Sequence, residues 1–197
     1  MAHRSKISVE ITPETYIAAA VILLLVPLDW MCAWVVAAVT HECCHCLAIL
    51  ICRSRIEKIY IGLNGARIQA FAMNPWKQLF STLAGPCGAL LLLLLGPLFP
   101  RLAICAFIQS IYNLLPVLPL DGGHALQCVL TTVFPETLVY RILKWEEIVF
   151  FLAVLLLSIT AAIFLKLGFA PVAIICCMLL WLKIINIPCK SRFHRVQ

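Results

Sequence analysis

Charge is scarce in this sequence. Only 12 % of its 197 residues are Asp, Glu, Lys or Arg, against 63 % hydrophobic, and the mean hydropathy is +1.04. That leaves far too little polar surface to cover a water-soluble globule, so the chain belongs in a lipid bilayer. Acidic residues are scarcer still, nine in all, with Asp121 alone between Glu57 and Glu136. A long basic stretch is also missing. The formal charge of +6 is spread in short clusters between apolar runs, where it sets membrane orientation, so no nucleic-acid partner is expected. No cleavable signal peptide stands apart at the start, because the first apolar run leads almost directly into a second that carries the candidate chemistry. Neither half of the chain repeats the other, which argues against the repeat-built folds of many transporters.

Cysteine is plentiful, eleven residues, yet most sit in or at the ends of apolar runs. They read as small, buried, reduced side chains and not as a disulfide framework. Six apolar runs are candidate membrane spans within a single domain, 1–197: residues 16–28, 30–52, 79–99, 102–120, 148–165 and 169–187. The first is short for a hydrocarbon core of about 30 Å at about 1.5 Å per residue. Two Lys or Arg precede it, five lie in 53–77, two are Arg141 and Lys144, and three fall in the tail, whereas only Arg101 and Lys166 lie on the opposite side. This bias predicts a multi-pass protein with both termini cytoplasmic. In the more polar stretch 53–77, Ile56–Leu63 and Ala66–Phe71 are rich in β-branched and aromatic residues and are joined by Asn64-Gly65. Both turn residues tolerate the positive φ of a type I′ turn, so a β-hairpin over 56–71 beside the membrane is expected. The expected fold is thus an all-α polytopic membrane protein of about six transmembrane helices, with that hairpin and one broken helix.

His41-Glu42-Cys43-Cys44-His45 has the His-Glu-x-x-His pattern. Histidines four apart share one helix face and can share a zinc ion, with the glutamate beside them as a general base. A catalytic zinc takes three protein ligands and leaves the fourth position to water, so one ligand must come from elsewhere. Asp121 follows Asn113-Leu-Leu-Pro116-Val-Leu-Pro119-Leu and precedes Gly122-Gly123. Two prolines and two glycines break a helix at membrane depth, which is tolerated where the backbone lines a protein-enclosed cavity. Asp121 is the preferred third ligand, since an unpaired buried carboxylate would need a partner. His124 is its rival, and Cys44, which borders the metal face, would close the site if it bound. One zinc per chain is expected.

These residues resemble the site-2 protease family of intramembrane metalloproteases. The resemblance rests on His41-Glu42-x-x-His45, on Asn113-x-x-Pro116-x-x-Pro119-x-Asp121-Gly122, and on Ala84-Gly85-Pro86 between them. The small six-span arrangement looks closest to the family's bacterial sporulation branch, whose best-known member processes a membrane-associated transcription-factor precursor. The resemblance implies a zinc endopeptidase that hydrolyses a peptide bond in or near another protein's membrane-embedded segment, with Glu42 as base. It also implies that Asn113 hydrogen-bonds the oxyanion or the substrate backbone. Adding the unwound substrate as a strand along Ile61, Gly62 and Leu63 would satisfy its freed amides. A regulatory or inhibitory membrane partner is compatible with all of this. A metal or ion transporter and an inactive zinc-bound scaffold are the competing readings, and the spacing of Glu42 favours the enzyme.

Overall fold

A computed structural model describes residues 8–11, 26–62, 65–71 and 73–164. The expected spans 16–28 and 169–187 lie outside the described residues, apart from 26–28. The chain forms two compact units, Met1–Pro135 and Glu136–Gln197.

In the first unit, β1 (Ser8–Ile11) is followed by the helix α1 (Leu28–Ile51). Pro27 precedes α1, and Asp29 in its first turn accepts a hydrogen bond from the Trp30 amide at 2.9 Å, a favourable place for negative charge. Ala37, His41, Ala48 and Ile49 are buried, while Trp34, Val39, Leu47 and Leu50 face outward. A packed face mostly of small and polar residues, with large apolar ones outside, is the pattern of a helix in lipid. Arg53 ends the helix in a left-handed conformation, φ 57°.

Two strands follow, β2 (Ile56–Gly62) and β3 (Gly65–Ala70), paired antiparallel; Leu63 and Asn64, and with them the expected Asn64-Gly65 turn, lie outside or at the edge of the described residues. The sheet order is β1-β2-β3, with β1 parallel to β2. A third strand from the polar N-terminal stretch was not expected. It makes β2 the central strand, with Ile61 paired to Ile11 on one side and to Ala66 on the other.

Helix α2 (Pro75–Leu90) starts where the Asn74 side chain accepts from the Trp76 amide at 3.1 Å with Pro75 at the first position, and it runs through Pro86 into a 3₁₀ turn at Leu91–Leu95. Helix α3 (Pro100–Asn113) is only 14 residues. At about 21 Å it falls short of a bilayer core of about 30 Å, and of the apolar run 102–120 only the part up to Asn113 is helical, the rest forming the expected break. Hydropathy continues to Leu120, but Pro116 and Pro119 lack amide donors, and the helix stops before them. The chain then folds back into α4 (Asp121–Val133). A side chain on Gly122 would strike the Leu114 carbonyl, and one on Gly123 the Val117–Leu118 peptide, so this reversal requires both glycines.

α1 packs against α2 and α3, and α2 packs against α4. Ala37 on α1 meets Cys105 and Ala106 on α3, and Asp29 pairs with Arg101 at the start of both helices, so α1 and α3 run parallel. The Arg101 guanidinium also lies 5.8 Å from the Trp30 ring centre.

The second unit contains α5 (Glu136–Phe164), whose 29 residues begin twelve positions before the expected span 148–165. With α1 and Pro75–Leu95, α5 makes three described helices long and apolar enough to cross a membrane.

Candidate metal centre

Helical periodicity sets His41 and His45 one turn apart on the buried face of α1. Asp121 arrives from 76 residues beyond His45 as the first residue of α4. The three ligand atoms form a nearly equilateral triangle: His41 Nε2 to His45 Nε2 is 3.1 Å, His41 Nε2 to Asp121 Oδ2 is 3.0 Å, and His45 Nε2 to Asp121 Oδ2 is 3.3 Å. His41 is 3 % exposed, and the His45 and Asp121 side chains are 12 % and 21 % exposed.

A tetrahedral metal ion with bonds of about 2.0–2.1 Å holds its ligand atoms about 3.3 Å apart, so the triangle already has the spacing that metal coordination demands. The chemistry of the donor set agrees. His45 Nδ1 donates to the Ser81 carbonyl at 2.7 Å, because that oxygen can only accept. In a neutral ring this leaves Nε2 as a bare lone pair, aimed at a carboxylate oxygen and a second imidazole nitrogen. With His41 Nε2 also unprotonated, the three atoms could each give an electron pair to one cation. Among the described residues, His41, His45 and Asp121 are the one group of His, Cys, Asp and Glu able to hold a metal ion.

The structure brings Asp121, and not its rival His124, to the histidines; His124 is exposed one turn further along α4. Glu42 follows His41 on α1 and is half-buried. The Cys44 side chain faces Gly88 on α2, away from the group it was a candidate to join. Asn113 ends α3, half-buried, at the point where the broken segment begins. Of the expected substrate strand, Ile61 is already paired on both edges, to Ile11 and to Ala66, which corrects it as a free docking edge; Gly62 lies just beyond the pairing with β1, and Leu63 is outside the described residues. Sequence reasoning missed Ser81, whose contribution comes from its main chain.

The backbone reversal carries a test of its own. Gly123→Ala must push the Val117–Leu118 peptide away and move Asp121, two residues earlier, so metal content is expected to fall and the melting temperature to drop. Ala125→Gly, a change of the same size on the same helix without that contact, is expected to cost only about 1 kcal/mol of stability and no metal.

No family model and no curated protein matches the sequence. The backbone does find a counterpart among solved structures: the site-2 protease from Methanocaldococcus jannaschii superposes with a TM-score of 0.59 at 18 % identity, over 89 % of this chain and 88 % of that one. The chain is similar in fold to a site-2 protease. That likeness extends over nearly the full length of both, and together with the three long apolar helices it supports a polytopic protein in a membrane.

Proposed function

We propose that this chain is an intramembrane zinc metalloprotease that cuts a membrane-bound protein in or near its transmembrane segment. The observation that carries the reading is the triangle of His41 Nε2, His45 Nε2 and Asp121 Oδ2. The chemistry a zinc ion supplies there is a lowered pKa for water and charge stabilisation at the scissile carbonyl. Glu42 takes a proton from the water as its oxygen adds to the carbonyl carbon. It returns that proton to the amide nitrogen as the C–N bond breaks, leaving a carboxylate and an amine. Asn113 offers its side-chain amide to the carbonyl oxygen of the substrate. Water must reach the site, and the non-helical break between Asn113 and Asp121 is where it would enter, since a continuous helix would close that side.

The substrate is a helix that must unwind, and its freed amides need partners. With β2 paired to β1 over Lys58–Ile61, the outer edge of β3 is the place for an added strand. One of two neighbouring strand residues points its amide outward, so of Arg67→Pro and Ile68→Pro one removes an outer donor and the other disturbs pairing with β2. Cleavage is expected to slow by roughly two- to tenfold in the former, the weight of about one backbone hydrogen bond, with metal content unchanged. Two normal cleavage rates would place substrate capture elsewhere. The substrate class proposed is a single-pass or membrane-associated protein, a transcription-factor precursor in the manner of the sporulation branch, with both termini of the protease cytoplasmic.

The proposal is tested by reconstituting the purified protein in vesicles with a panel of single-pass proteins and identifying fragments by mass spectrometry. Fragments should vanish with a zinc chelator and return with zinc. Fragments that persist after chelation, or a full panel left intact, would sink it.

A further inference from the structure

We infer that the α2 backbone from Ser81 to Gly85 is the positioning element for the His45 imidazole: the Ser81 carbonyl holds its Nδ1, and the missing side chain of Gly85 makes room for the ring. This rests on the metal-centre reading above and assigns it two residues outside the ligand set.

Two independent contacts carry it. His45 Nδ1 donates to the Ser81 carbonyl at 2.7 Å. A Cβ built on Gly85 would land on the His45 ring itself, meeting Nε2, Cε1 and Cδ2. Ser81 and Gly85 are both buried and stand one helical turn apart, so carbonyl and glycine form one seat. The Ser81 hydroxyl donates back to the Gln78 carbonyl at 3.1 Å, which leaves the main chain to hold the histidine. One turn before Ser81, Lys77 Nζ donates to the Cys52 carbonyl at 3.3 Å, a further contact between α2 and the end of α1.

Small residues at helix crossings in membranes often serve only to let backbones approach. Gly88 fits that description, since a side chain there would meet Cys44, which is not in the ligand group. Gly85 differs because the atoms it admits belong to a ligand. A carbonyl on the outer nitrogen of a ligating histidine fixes the tautomer and the ring orientation, and losing such a partner typically costs about 10–100-fold in metal affinity. His41 has no comparable anchor: its Nδ1 is buried with no hydrogen-bond partner among the described residues. Orientation of the pair therefore depends on α2 through His45.

The test compares Gly85→Ala with Gly88→Ala, two equal insults to the same crossing. Zinc dissociation constants are read by chelator competition, and ¹⁵N-histidine spectra are recorded on metal-free protein. Gly85→Ala is expected to weaken zinc about 10–100-fold and to lose the protected Nδ1–H of His45, while Gly88→Ala keeps both at a similar melting temperature. Equal losses in the two variants would reduce Gly85 to a packing residue, and unchanged zinc affinity in Gly85→Ala would overturn the inference. Should Gly85→Ala fail to fold, the wild-type spectrum still decides: His45 protonated at Nδ1 with slow exchange supports the seat, and Nε2 protonation or fast exchange refutes it. A wild-type protein that binds no zinc would overturn the metal-centre reading, and the metal-free spectrum would still report on the seat.

Discussion

Glu42→Gln is expected to lower the cleavage rate by about 10²–10⁴-fold, the usual contribution of a positioned general base, while zinc content stays at the wild-type level. Glutamine keeps the size and hydrogen-bonding reach of the side chain, so α1 has no reason to repack. It cannot accept the proton that water must lose. Glu42 stands outside the triangle of ligand atoms, which His41, His45 and Asp121 complete without it. Measuring cleavage and bound metal on the same sample separates the roles. Loss of zinc together with activity would make Glu42 a ligand, and retained cleavage would remove it from the chemistry.

Asp121→Asn is expected to lose zinc more severely than the roughly 10–100-fold that an outer hydrogen-bond partner costs, because the change reaches a ligand atom itself. The neutral amide also leaves the ion's charge without its one carboxylate in a buried site, where uncompensated charge is expensive. His124→Ala should keep its zinc, since His124 lies exposed beyond the group. Metal analysis of the two variants side by side checks this. Zinc kept by Asp121→Asn and lost by His124→Ala would reverse the assignment.

The centre was more legible in the sequence than the fold around it, and periodicity explains why. Four-residue spacing forces His41 and His45 onto one face of any helix, and a lone carboxylate after a long apolar run has few other uses. Helix ends were harder. Hydropathy runs evenly through 102–120; the prolines and glycines announced the break, but not that the helix would already end at Asn113, three residues before the first proline. Sheet order was out of reach for a different reason. Ser8 pairs with Lys58, fifty positions away, and no local pattern announces a parallel partner that distant. That pairing turned Ile61 from a free edge into the middle of a sheet. Gly85 belonged to a stretch the sequence marked, Ala84-Gly85-Pro86, yet its purpose depends on the ring that packs against it.

The most direct test of the metal centre is zinc K-edge X-ray absorption on the purified wild-type protein. The expected spectrum is one zinc with two imidazole nitrogens and light-atom ligands at about 2.0–2.2 Å, filled by Asp121 and water. A sulfur shell at about 2.3 Å, bringing Cys44 or another thiolate onto the ion, would contradict it, as would protein that purifies without zinc and does not take it up.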